Sequence, residues 1–356
     1  MMDTPLGPLR DLDLKDHDVC RQVLALDKHQ LIEGLVFESW FDRYLTRLGD
    51  TDDAIVAVDV DTAVVVLPDG KPGAFVWMRS SGPGVGRYLD AMAGIMRTWI
   101  VRWEGNAFTA ASWADGRVGE REPLETAARR ASGRTEPRRE TTEAAVRDGK
   151  RINQSFWGYL SERYGDDLGE RVVLSRLYLN FGLQPWFGWL WNVDRIFLDG
   201  DRLWHFEIKH KYPMDGRNGL AFGINDGEVR LMSLLTSAGL RSLHTVIVKP
   251  DWSKEAGSMY LQNDPHARER AAVIGREMTN ADVQRALGTK GGMSGADTTF
   301  TGRGAVKFRT FPASTFHRFG LLGDAHATVA ARILSHMRGA DQPALEDAAL
   351  RRLRIR

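Results

Sequence analysis

Apolar positions along this chain follow two different periods. In residues 28–47 they recur at helical spacing, with Leu31, Leu35, Trp40 and Tyr44 on one stripe and Gly49 as a stop. Over residues 54–78 valines alternate with small and acidic residues. Turns at Pro68-Asp69-Gly70 and Lys71-Pro72-Gly73 divide this stretch into two or three strands. A helix from about Tyr88 to Val101 and a short strand around Phe108 complete an α+β unit, so residues 1–119 are expected to form an N-terminal domain.

Residues 120–150 interrupt this pattern, being charged and nearly free of large apolar side chains, and they read as a linker or solvated connector. Arg129, Arg130, Arg134, Arg138 and Arg139 could touch phosphates there, but Glu136, Glu140 and Glu143 lie among them, and a solvated face is the simpler reading. Two amphipathic helices are expected next, over 151–165 and 167–182, the second stopped by Gly182. A strand-rich stretch, an Asp199-Gly200 turn and a second strand follow. A glycine-spaced loop then leads to Asn225-Asp226, good capping residues, and to a helix closed by Gly239. Residues 242–250 read as a short buried strand, giving a mixed α/β unit with a parallel pair joined by a crossover helix. One or two helices are expected in 265–286, a flexible glycine-rich loop in 288–304, a single strand in 305–319 and a closing helix in 325–337.

Composition narrows the picture modestly. A chain of 356 residues suggests two domains, and 43% hydrophobic with 27% charged residues suits a globular protein. The net charge of +1 neither favours nor excludes a nucleic-acid partner. Cys20 stands alone, which excludes an internal disulfide and a cysteine-based zinc site. No apolar signal segment opens the sequence and no apolar run is long enough to span a bilayer, so no membrane association and a cytoplasmic location are expected.

The candidate chemistry lies in the hairpin around Asp199-Gly200. Strand alternation puts Leu203, His205, Glu207 and Lys209 on one face and Trp204, Phe206 and Ile208 on the other. Counting back through the turn sets Asp194 opposite residues 205 to 207, so Asp194, Glu207 and Lys209 can converge. Two close carboxylates repel unless a cation sits between them, and all-oxygen ligation with water suits Mg²⁺. A lysine beside a metal-bound water suits phosphodiester hydrolysis. The competing reading is an exposed Glu207–Lys209 ion pair on a wet sheet face. Against it, Trp186, Trp189 and Trp191 flank the first strand, and the charged row His205, Glu207, Lys209, Lys211 is unusual unless something covers it.

These residues resemble the D…(D/E)-x-K core of the PD-(D/E)XK nuclease superfamily, with Asp194 followed by Glu207-Ile208-Lys209 in the next strand. Val193 stands where that family often has proline. The order helix, strand, hairpin strand, helix, strand over about 152–250 is similar to its core. The fold class expected is therefore α/β (α+β overall), with a restriction-endonuclease-like mixed sheet core flanked by helices in residues 151–356, ending in a C-terminal helical extension.

The resemblance implies Mg²⁺-dependent cleavage, with Mn²⁺ as a possible substitute, by a DNA endonuclease of restriction, phage or defence type. DNA is favoured over RNA as substrate, and a homodimer is implied where both strands are cut. It further implies metal binding by Asp194, Glu207 and the Ile208 carbonyl, action of Lys209 on the attacking water, and an acidic residue on the first core helix. Glu170 best matches that residue, with Glu162 second.

His205, Lys211, Arg217, Lys290, Arg303 and Lys307 are further candidates for phosphate contacts. The Ser80–Arg87 stretch lacks a phosphate loop's Lys-Ser/Thr ending and reads as a glycine-rich turn. Asp59 and Asp61 read as the wet side of a strand. The alternatives left open are a nucleic-acid-binding protein with an inactive nuclease fold and an unrelated α/β interaction protein.

Overall fold

The computed structural model describes residues 2–46, 55–216, 219–295, 299 and 301–355. Asp16 caps α1 (His17–Leu24) by accepting from the Asp18 amide, and α2 (His29–Thr46) follows. The chain then makes one short strand, β1 (Val56–Ala57), and departs into a separate sheet. That sheet is built on β2 (Val60–Val66), β3 (Pro72–Met78), β4 (Arg97–Trp103) and β5 (Phe108–Ala114), with α3 (Val85–Ala93) between β3 and β4 and α4 (Leu124–Ser132) after β5. Helical turns over 149–164 and 169–183 pack on it and lead to β6 (Leu190–Val193), which pairs antiparallel with β2.

After Asp194 the chain resumes as β7 (Arg195–Asp199), but in a different sheet. β7 pairs antiparallel with β1 and with β8 (Arg202–Lys211) across a turn in which Gly200 has φ +60°, a conformation that favours glycine. A hairpin of β9 (Met214–Gly216) and β10 (Gly219–Asn225) precedes α5 (Asp226–Ser237). β11 (Arg241–Val248) then lies parallel to β8. β12 (Ala272–Glu277), α6 (Asn280–Gly288), β13 (Gly292–Met293), β14 (Lys307–Pro312), β15 (His317–Leu321), α7 (His326–Met337) and α8 (Asp347–Leu353) complete the chain.

The six-stranded sheet runs β15-β12-β11-β8-β7-β1, and a four-stranded sheet runs β9-β10-β14-β13. Alternation along β8 decides which helices cover it. Trp204, Phe206 and Ile208 pack with Phe37 and Phe41 of α2 and Ile333 of α7, while Leu203 packs with Leu231 and Leu235 of α5. The architecture is mixed α/β with several sheets, the coarse class that the alternating periods imply. Among the described residues no helix is long and apolar enough to cross a membrane.

Several local expectations change. The helix begun at Tyr88 ends at Ala93, and Arg97–Trp103 is a strand, since Thr98, Ile100 and Val101 are β-branched and suit an edge-to-edge ladder. The charged stretch 120–150 contains α4, which buries Leu124, Ala127 and Ala128, because small residues pack closely without adding much hydrophobicity to the pattern. Within the stretch expected to be a loop, Met214–Gly216 pairs antiparallel with Gly219–Ala221. Residues 272–277 form a buried strand, and 305–319 splits into β14 and β15 of different sheets. Strand pairing also crosses the division at 119 and 151: β1 joins β7, and β6 joins β2.

Phe206 is fully buried and stacks edge-on with Phe197 at 4.8 Å. Phe206→Ala is expected to lose about 3–5 kcal/mol of unfolding free energy in a urea titration with an unchanged m-value. A loss below about 1 kcal/mol would contradict this packing.

Candidate active site

The site is built from the face of β8 turned toward α5. His205 and Glu207 are 0% and 2% exposed, so the exposed ion pair on a wet sheet face does not occur. Parallel pairing sets Ser242 and His244 of β11 beside His205 and Glu207, and both are fully buried. A carboxylate and three imidazole or hydroxyl groups thus share an interior surface where each unpaired polar atom is costly.

Asp194 lies at the break between β6 and β7. Arg195 is opposite Phe206, so Asp194 falls opposite Glu207, as the count from the turn anticipates. Its Oδ2 accepts from the Ile208 amide at 2.9 Å, which fixes the carboxylate against β8. The Lys209 ammonium stands 2.5 Å from Glu207 Oε1, 3.5 Å from Glu228 Oε1 and 3.6 Å from Asp194 Oδ2. Three carboxylates therefore gather around one partly exposed ammonium.

Glu228 was not singled out from the sequence. It is the third residue of α5, where it completes a capping box with Asn225, accepting from the Asn225 amide at 3.2 Å. The signal was present in the spacing Asn225 to Glu228, but it marks a helix start and says nothing about which strand the helix crosses. Glu38 was missed as well. It projects from α2 onto Arg195 at 3.2 Å, next to Asp42 at 2.8 Å from the same guanidinium.

The acidic residue expected on the first helix needs correction. Glu170 has an exposed side chain, and its carbonyl accepts from Arg79; among the described residues no contact joins it to Asp194, Glu207 or Lys209. Glu162 is exposed too. α2, far upstream, packs on the apolar face of β8, and its Glu38 pairs with Arg195, the residue after Asp194. Nearness in sequence does not decide which helix reaches this strand.

Electrostatics follow from burial. Burial, reinforced by Asp194 and opposed by Lys209, pushes the Glu207 carboxyl well above its ordinary range. Burial, opposed by Arg195, raises Glu38 to about 7. Burial works against the Lys209 charge, but Asp194, Glu207 and Glu228 outweigh it and hold the ammonium well above its usual value. Burial lowers Lys211 to about 8, and its ammonium donates to the Gly223 carbonyl. Burial lowers His205 to about 4 and His244 well below its ordinary value, so both are neutral near pH 7.

The donor chemistry fits a hard cation. Asp194 and Glu207 offer carboxylates, Ile208 a carbonyl, and Glu207 Oε2 is buried without a hydrogen-bond partner. As the side chains stand, the described residues include no group of three or more His, Cys, Asp or Glu arranged to hold a metal ion, and Lys209 supplies the positive charge among the carboxylates.

The other candidates scatter. Lys211 is committed to the Gly223 carbonyl, and Arg303 pairs with Glu143. Lys290 and Lys307 are exposed beside β13 and β14, and Arg217 lies outside the described residues. His210 faces away from the site, stacked on Phe37 at 4.7 Å. Asp61 pairs with Arg79 and Asp59 with Arg171, so neither is a lone wet-face carboxylate. Cys20 is buried, and burial with the nearby Asp16 pushes its thiol up to about 11, far from a reactive thiolate.

The buried neutral histidines make stability pH-dependent. For His205 the folded value, about 4, lies below the unfolded one near 6.5, so the unfolded chain binds more protons between them. Its stabilising contribution is present above pH 6.5 and is lost as pH falls toward 4, by roughly 3 kcal/mol at the limit. Denaturant titrations over this window are expected to show that loss, with a shallower slope in His205→Gln; an unchanged slope would contradict a neutral buried imidazole. Comparison with protein-family models, curated proteins and solved structures gave no match to this chain.

Proposed function

We propose that this chain is a Mg²⁺-dependent nuclease that hydrolyses phosphodiester bonds, with DNA the favoured substrate and endonucleolytic cleavage the favoured mode. The observation that carries the reading is the convergence of Asp194, Glu207 and Lys209 within hydrogen-bond or ion-pair reach at one strand crossing. The order α2, β1, β7, β8, α5, β11 adds support. It is a helix, three antiparallel strands, a helix and a parallel strand, similar to the PD-(D/E)XK core, with Asp194 leading the second strand and Glu207-Ile208-Lys209 in the third. In this reading residues 60–193 are a second sheet inserted between the first and second core strands.

Asp194, Glu207 and the Ile208 carbonyl would hold the ion. When bound, Mg²⁺ supplies Lewis-acid polarisation of the phosphoryl oxygen and lowers the pKa of water. The remaining roles belong to the chain. The Ile208 amide fixes the Asp194 carboxylate, and burial keeps water from competing for Glu207. Lys209, partly exposed, presents its ammonium to the attacking water or a phosphate oxygen. Glu228 restrains that ammonium from the α5 side, and Arg195, held by Glu38 and Asp42, anchors the residue next to Asp194.

One observation favours the inactive, nucleic-acid-binding alternative: Lys209 already neutralises the carboxylates that would take the ion. Supercoiled plasmid incubated with Mg²⁺ or Mn²⁺ separates the two. Asp194→Ala, Glu207→Ala and Lys209→Ala are each expected to lower the cleavage rate at least about a hundredfold while leaving binding in EDTA intact. Glu228→Gln is expected to slow cleavage less. Absence of cleavage by the wild-type chain on DNA and RNA in both metals would overturn the enzyme reading.

A further inference from the structure

The strand that delivers Asp194 begins with a solvent-facing indole. Trp189 is 67% exposed, at the entry to β6. It is the most exposed of the large apolar side chains among the described residues, and its ring face is open to a stacking partner. The ring is also supported from behind: Trp191 lies 6.4 Å away at a 32° tilt and packs so closely on Gly227 that an added Cβ would meet its Nε1 at 2.4 Å. Gly227 immediately precedes Glu228, which contacts Lys209. Trp191 therefore ties the platform to the N-terminal end of α5, the helix whose Glu228 reaches Lys209.

The arginine-bearing segment read from the sequence as a solvated connector is anchored a few residues before Trp189. The Arg138 amide donates to the Pro185 carbonyl at 2.7 Å, the Arg134 guanidinium donates to it at 3.3 Å, and another Arg134 nitrogen comes near Gly188. The Arg138 and Arg139 side chains are exposed. Glu136 and Glu140 in the segment keep its field modest, so these arginines offer local phosphate contacts and not long-range steering. An exposed aromatic ring with an arginine-bearing segment anchored a few residues before it suits the holding of single strands, because every base has a face to stack and every nucleotide a phosphate to pair. In an intact duplex the base faces are already stacked on one another.

We propose that Trp189, with Arg138 and Arg139, forms a stacking platform for an unpaired base of the strand entering the Asp194–Glu207–Lys209 site, so that the substrate is single-stranded or locally opened nucleic acid. This rests on the nuclease reading for the identity of the neighbouring site. The occupant is one strand of nucleic acid running from the arginine segment, across the indole, to Lys209. Trp191 positions the platform and does not itself meet the base.

The test measures binding in EDTA, apart from cleavage, using a fluorescein-labelled oligothymidylate and a labelled duplex of equal length. Trp189→Ala is expected to weaken single-strand binding about tenfold, Trp189→Phe to retain most of it, and duplex binding to stay unchanged. The wild-type chain should also lose indole fluorescence on adding the single strand, and the Trp189→Ala variant should lose less. Arg138→Ala with Arg139→Ala should weaken binding and flatten its salt dependence. Equal single-strand affinity in Trp189→Ala and wild type would overturn the proposal, as would an equal loss on single strand and duplex, or no single-strand binding at all. Trp189-dependent binding without any cleavage in Mg²⁺ or Mn²⁺ would support the platform while overturning the nuclease reading. Metal-dependent cleavage of single strands at the wild-type rate by Trp189→Ala would do the reverse.

Discussion

Burying Glu207 is the constraint around which this site is arranged. A carboxylate with 2% exposure, facing Asp194 across a strand pair and Glu228 from a helix, is pushed toward its protonated form, and a cation beside it is what opposes that shift. Lys209 fills that role two residues along the same strand, where alternation returns the side chain to the same face. Removing Lys209 takes away the cation that opposes this shift, whereas removing Glu207 leaves the ammonium with Asp194 and Glu228, so the lysine is a feature of the fold as well as of the candidate chemistry.

The second organising feature is the seam at Asp194. Up to Val193 the chain pairs with one sheet, and from Arg195 it pairs with another. A residue at such a seam lies outside both ladders, which frees the Asp194 side chain to accept from a neighbouring strand's amide. Arg195, one step on, is tied to Glu38 and Asp42 of α2, so the helix on the far side of the sheet shares in fixing the seam. Trp191, three residues before it, locks the other end against Gly227. Backbone on both sides of the candidate site is thereby held by packing, the condition under which side-chain geometry is preorganised.

The interior of the sheet beside the site is unusually polar yet neutral. His205 and His244 keep their protons off because burial penalises the charged ring; Lys211 and Lys209 reinforce this at His244, while at His205 Asp194 opposes it and Lys209 adds to it. Lys209 thus stands at the centre of the acidic cluster, with the imidazoles contributing shape and dipoles and no charge near neutral pH.

The hairpin was legible in the sequence because everything it needs is local. Period-2 alternation chose the faces of β8, and the Asp199-Gly200 signal set Asp194 opposite residues 205 to 207; the structure turns at Gly200-Asp201 and so brings Asp194 opposite Glu207. α2, α5 and the parallel strand β11 were likewise visible as strong periodic runs with recognisable ends. Glu38 and Glu228 were not, since each enters the cluster from a helix whose contact with β8 depends on how the chain returns after residues 60–193. Glu170 was chosen for the same reason: periodicity marks which face of a helix is apolar but not which sheet that face will meet. The sequence by itself determined the strand that carries the charges and the residue directly across from it. Tertiary structure decided that this charged face is buried, which helices close over it, and that an upstream helix brings Glu38 to Arg195, because burial and long-range pairing are properties of chain return and not of local pattern.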